Sequence, residues 1–135
     1  MEKNYLGIDY GEKRIGLALA GEKSRVAKAF KTIHQLKELD DIVPAKNVKA
    51  FVIGLPLQPD GTEGSSVAHA RLFAARLQEK YNRPIYWQDE RKTSVATEAY
   101  LKDTLCMRPD KRKQILDAES ACLILDQWLK QGKTA

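Results

Sequence analysis

Apolar and polar positions change period several times along the chain, and each change marks an element. Tyr5-Leu6-Gly7-Ile8-Asp9 predicts a strand, with Gly11 turning the chain after it. Ile15 to Ala20 predicts a second strand, joined to the first by the tight basic turn Glu12-Lys13-Arg14. The alternation from Val26 to Phe30 predicts a third, so an antiparallel meander is the natural local arrangement. Leu36, Leu39, Asp40 and Val43 have helical spacing, and Pro44 helps to end that helix. Ala50 to Leu55 is a continuous apolar run, as expected for a central strand covered on both faces. Pro56 to Ser66 predicts a loop; Ser65 or Ser66 can cap the next helix, which carries Val67, Ala70, Ala74, Leu77 and Tyr81 on one side. Pro84 to Gln88 predicts another strand, ending in Asp89-Glu90-Arg91, and Thr93 or Ser94 opens a helix to about Lys102. Residues 102–113 read as an exposed loop, followed by a final helix from near Gln114 through Leu116, Cys122, Leu125 and Leu129. The order β-β-β-α-β-α-β-α-α predicts an α/β fold, a mixed sheet sandwiched by helices, because helical crossovers reach the last two strands.

A length of 135 residues suits one domain spanning 1–135. With 43% hydrophobic and 30% charged residues, the chain has the composition of a folded domain and not of a disordered tail. No apolar run approaches the ~20 residues of a membrane span, and no signal-peptide stretch opens the chain, so a cytoplasmic location is expected. Cys106 and Cys122 make no disulfide framework; Cys122 reads as a small buried filler of a helix, and Cys106 lies in a charged stretch. His34 and His69 complete no zinc pattern. A net charge of +5 permits an anionic partner.

Three acids carry the candidate chemistry. Asp9 ends an apolar strand where the chain turns out between Gly7 and Gly11, a place where an Asp can also serve as a simple turn-former. Glu90 closes the last strand; its neighbour Asp89 must point to the opposite face, and either can cap the next helix. Asp117 precedes Ala121, Ile124 and Trp128 on one face of the final helix, where an acid needs a partner or a metal, or else serves the helix dipole near its start. Together, Asp9, Glu90 and Asp117 can converge at one end of a parallel strand pair. Clustered hard oxygens need a cation, Mg²⁺ or Mn²⁺ by preference. A pair of such ions, about 4 Å apart, activates water and stabilises the leaving oxygen in phosphodiester hydrolysis.

These residues also match a known family. Gly7-Ile8-Asp9-Tyr10-Gly11-Glu12-Lys13-Arg14-Ile15-Gly16 resembles the opening motif of the YqgF/RuvX family, the Holliday-junction-resolvase-like proteins with a ribonuclease H-like fold. The resemblance continues through Val52 to Leu57, Asp60-Gly61-Thr62-Glu63, Ala70 to Phe73, Asp89-Glu90-Arg91 and Asp117 to Ala121, essentially the whole chain. It implies a five-stranded mixed sheet flanked by helices, its first three strands antiparallel. It also implies a cytoplasmic nuclease that trims the 5′ end of the 16S rRNA precursor, with Asp9, Glu90 and Asp117 as the acidic residues. Branched-DNA resolution is the older suggestion for such proteins. Related nucleases often use four carboxylates, and here the fourth is open between Asp89 and Glu98.

Nucleic acid would be held by phosphate contacts from Lys13 and Arg14 beside Asp9, from Arg71, Arg91 and Lys92, and from the run Arg108, Lys111, Arg112 and Lys113. Thr93 is a helix cap whose hydroxyl would lie near the same cleft, and Gly61 and Thr62 can offer backbone N–H groups to a phosphate. Tyr10 can stack on a base or pack on the sheet. Precursor 16S rRNA or the ribosomal particle is the expected partner, with monomer and homodimer both open. Two other functions compete. A phosphoryl-transfer enzyme shares the Gly-Ile-Asp-x-Gly strand, but it needs a second lobe, and no Walker-type loop is present. A non-catalytic RNA- or ribosome-binding module would leave the three acids as caps and turns.

Overall fold

The computed structural model describes residues 2–11, 13–55, 64–89 and 109–131, apart from the side chains of 66, 89 and 109–116. Five strands form one sheet: β1 (Asn4–Tyr10), β2 (Ile15–Gly21), β3 (Ala27–Ile33), β4 (Val48–Leu55) and β5 (Ile85–Asp89), in the order β3-β2-β1-β4-β5. β1, β2 and β3 pair antiparallel; β4 lies parallel to β1, and β5 parallel to β4. The parallel strands β1, β4 and β5 therefore all end at one edge of the sheet, the edge where open α/β sheets place their ligands.

The pleat sorts β1 and β2 by size. Ile8 and Leu6 of β1 pack with Ile15 and Leu17 of β2 on one face, together with Phe51 and Ile53 of β4. That face is covered by α1 (Leu39–Ala45), through Leu39, Ile42 and Val43, and by α2 (Ser65–Tyr81), through Phe73, Ala74 and Leu77. On the other face stand Tyr5, Ala18, Ala20, Ala50 and Val52, covered by α3 (Pro109–Lys130) through Ala121, Ile124, Leu125, Trp128 and Leu129. Small residues on this side let the helix come close. A Cβ added at Gly7 would lie 2.8 Å from Leu125 Cβ and 2.9 Å from the Ala121 carbonyl oxygen.

Several boundaries differ from the sequence reading, each for a local reason. β3 starts at Ala27 and runs on to Ile33, because pairing with β2 continues to the Ile15–Ile33 pair; Val26 is left outside, 55% exposed. The helix around Leu36 begins as a 3₁₀ turn, Leu36–Glu38, held by a capping box between Gln35 and Glu38. Pro44 lies inside the last turn of α1. Gly64, not Ser65 or Ser66, is the N-cap of α2, and Ser65 is its first helical residue. Asn82 closes that helix with a left-handed backbone, its N–H donating to the Gln78 carbonyl at 2.9 Å. The largest correction is the final helix, which starts at Pro109 and takes in much of the stretch read as loop. Proline is well suited to a helix's first turn, where its missing N–H would have had no partner. The helix expected from Thr93 or Ser94 lies outside the described residues.

Candidate nuclease site

Asp9 is the last but one residue of β1, and strand alternation places it with Tyr5 and Gly7 on the α3 face. Its cross-strand partner is Gly16, and residues directly opposite share a face. The backbone of Asp117 sits on that glycine: a Cβ built at Gly16 would come within 1.9 Å of the Asp117 carbonyl oxygen. One helix backbone therefore lies directly over Gly16, the cross-strand partner of Asp9. The signal for this contact was present in β2, where Gly16, Ala18 and Ala20 alternate with Ile15, Leu17 and Leu19. Only the small set meets α3.

Asp117 is the ninth residue of a helix that begins at Pro109, so it is too far along to serve the dipole of the first turn. It has a partner. Arg14 Nε donates to Asp117 Oδ2 at 2.8 Å, with 34% and 20% of the two side chains exposed. Arg14, read as a phosphate contact, thus stands on one of the acids, leaving the β1–β2 turn toward α3. Lys13 is exposed beside it, and its carbonyl lies 3.2 Å from His34 Nδ1.

Other candidates are placed elsewhere. Tyr10 packs on Phe73 of α2 with ring centroids 4.6 Å apart, on the face opposite Asp9. Arg71 of α2 lies over the Trp87 ring, 5.4 Å from its centroid, also on the α2 side. Lys111, Arg112 and Lys113 lie in the opening turns of α3, not in a loop. Glu90, Arg91, Lys92, Thr93, Arg108, Gly61, Thr62, Glu98 and Cys106 fall outside the described residues. Among the described residues no group of three His, Cys, Asp or Glu side chains forms a metal set. Cys122 is half-buried, not fully buried, and burial, reinforced by Glu119 and Asp126, pushes its thiol up to about 11. No helix among the described residues is long and apolar enough to cross a membrane.

A family profile described as "RuvX: Holliday junction resolvase" matches residues 3–131. A protein of Burkholderia ambifaria, named as a proposed pre-16S rRNA nuclease, is 39% identical over 132 residues, covering 93% of this chain and 88% of the relative. A Lactobacillus acidophilus protein of the same name is 37% identical over 133 residues, covering 92% and 94%. Among solved structures, RuvC of Thermus thermophilus in complex with a Holliday junction substrate superposes with a TM-score of 0.56 at 14% identity, over 96% of each chain. The five-stranded mixed sheet is thus of the ribonuclease H-like kind.

Proposed function

Because the chain belongs to the RuvX family, we propose that it is a metal-dependent nuclease of one domain, residues 1–135, that hydrolyses phosphodiester bonds at the 5′ end of the 16S rRNA precursor. The observation that supports this reading most strongly is the seating of Asp117 on Gly16, the residue paired with Asp9. In this reading a helix acid and a strand-end acid from opposite ends of the sequence face one metal site at the carboxyl edge of the parallel strands. Glu90 is the third member of the proposed site. Tyr86 packs on the α3 side, and the strand period of two returns to that side at Gln88, the last described side chain of β5. The fourth carboxylate of related nucleases has no assigned residue in this reading.

The donor chemistry fits a hard divalent cation, since Asp9, Glu90 and Asp117 offer only carboxylate oxygens. Mg²⁺ or Mn²⁺ held by these three would polarise a phosphate oxygen and lower the pKa of bound water. The protein's own contribution is the placement of charge. Two acids on one face repel each other, and the Arg14 guanidinium relieves Asp117. Its planar fork has further N–H donors for phosphate oxygens at the same place. Exposed Lys13 adds a non-specific phosphate contact beside it. In this reading the partner is precursor rRNA or the ribosomal particle, and the setting is the cytoplasm.

The family description favours one second reading, cleavage of a four-way DNA junction. A single experiment separates them: purified wild type and Asp9→Asn, each with and without Mg²⁺ or Mn²⁺, on a labelled rRNA precursor end, a generic single-stranded RNA and a four-way junction. Metal-dependent cleavage that disappears in Asp9→Asn is the expected outcome, with the precursor end preferred. Preference for the junction would select the second reading. Folded wild type that binds RNA but cuts nothing would overturn both in favour of a binding module.

A further inference from the structure

Residues 23–37 contain Lys23, Arg25, Lys28, Lys31 and Lys37 and no acid, so this one segment matches the whole net charge of +5. The segment builds the edge strand β3. Arg25 is used within the fold, its Nη2 donating to the Leu129 carbonyl at 3.1 Å near the end of α3. Lys28 and Lys31 stand exposed on the strand, and exposed Lys46 follows α1. Between them Phe30 is only half-buried, with Lys46 Nζ 5.2 Å and Lys31 Nζ 5.9 Å from its ring centroid. Lysines alone would be explained as guards against edge-to-edge pairing. They do not explain an aromatic ring between two ammonium groups beside an open groove of about 490 Å³, which Leu19, Val26, Lys28 and Phe30 line. Glu2, which also borders the groove, accepts hydrogen bonds from the N–H groups of Lys23 and Ser24 at 2.6 and 2.9 Å.

The strand also runs to the end of the sheet that carries Asp9, with Phe30 packed on the α1–α2 face and Asp9 on the α3 face, so a bound strand would cross the β3 edge between them. Thr32 of β3 pairs with Gly16, which pairs with Asp9. Lys28 lies about 13 Å farther along the edge, and β3 lies about 10 Å across from β1. We propose that the β3 edge and the groove beside Phe30 form a track for single-stranded nucleic acid, with phosphates on Lys28, Lys31 and Lys46 and a base stacked on Phe30. Cations for the backbone and an aromatic for the base are the two parts of sequence-tolerant strand binding. The identity of the strand as substrate rests on the nuclease reading; the track itself does not.

Fluorescence anisotropy in EDTA, where nothing divalent is present, tests binding apart from cleavage. The probe is a labelled single-stranded RNA of about 16 nucleotides, long enough to pass from the site along the edge. Lys28→Gln/Lys31→Gln is compared with Lys80→Gln/Lys130→Gln, which removes the same charge from exposed positions on α2 and α3. The track variant is expected to bind about tenfold more weakly, with the slope of log K against log salt shallower by about 1.4, two single-strand phosphate contacts. Phe30→Leu, checked by circular dichroism for folding, weakens binding while leaving that slope unchanged. Equal affinity and slope for the two double variants would overturn the proposal and leave the lysines as edge guards. A wild type that cuts nothing when Mg²⁺ or Mn²⁺ is supplied in a separate assay, yet loses RNA with Lys28 and Lys31 in EDTA, would refute the nuclease reading and retain the track.

Discussion

The Arg14–Asp117 pair is partly exposed at both ends, so it contributes little to folding, about 0.2–1 kcal/mol as such pairs do. Function and stability therefore separate at Asp117. Asp117→Asn keeps the size of the side chain and is expected to leave the melting temperature within a few degrees of wild type. On the reading above it reduces metal-dependent cleavage by about 100-fold, the upper end of what even an outer-shell change costs a metal site. A fall in stability that matched the fall in activity would make Asp117 a structural acid. Cys122 makes a chemical prediction of the opposite kind. Its thiol is pushed up to about 11 by burial and by the nearby Glu119 and Asp126, so the folded protein keeps it protonated near neutrality. Mass spectrometry of alkylated peptides should show Cys122 labelled slowly at neutral pH and faster as pH approaches 11. The sign for stability follows from the same shift. A thiol whose pKa is raised on folding favours the folded state at low pH, and that contribution is lost as pH rises from about 9 toward 11. Cys122→Ser should remove this part of the alkaline loss.

At the scale of elements, the seating of α3 on β1 and β2 is the joint that makes the site. Gly16→Ala would place a methyl group 1.9 Å from the Asp117 carbonyl oxygen, so helix or strand must move. Overpacking of this kind costs about 1–3 kcal/mol. Cleavage should fall further than stability accounts for, because the displacement separates Asp117 from Asp9; activity and thermal melting measured on the same sample decide it. Trp128 tests the other end of the joint. It is fully buried between Tyr5 and Tyr86, with ring centroids 5.1 and 5.2 Å away. Its indole nitrogen is buried without a hydrogen-bond partner among the described residues. Trp128→Phe keeps aromatic packing and removes that unmet N–H, so it should cost far less than the about 3–5 kcal/mol of Trp128→Ala, as denaturant titration would show. Strands and helices of this sheet were legible where one period ran without interruption, as in β1, β2, β4 and α2. The start of α3 was not, because the charged residues around Lys111 to Lys113 look like loop when read for apolar period. Pro109 was the better signal.

Across the whole molecule, the acids could be picked out as strand-end and helix-face anomalies, yet their contacts could not. Arg14 and Asp117 are 103 positions apart, and nothing local shows that one turn's arginine will meet the last helix. Nor could composition show that Lys28 and Lys31 stand on an edge strand, since that requires the strand order. The same order separates the site from the stability of the sheet. β1 and β4 are each hydrogen-bonded on both sides and packed between α1 and α2 on one face and α3 on the other, whereas among the described residues β3 is paired only with β2. Native-state hydrogen exchange should therefore find the slowest amides at Leu6, Ile8, Phe51 and Ile53, opening only with global unfolding, and faster sub-global opening in β3. Asp9→Asn should give nearly the same profile, because Asp9 lies at the strand's end, beyond those core positions. If β3 exchanged as slowly as β1, the packing of α3 across β2 and β3 would be what locks the edge. The lysine-bearing strand would then be a rigid platform, coupled through that one helix to Asp117.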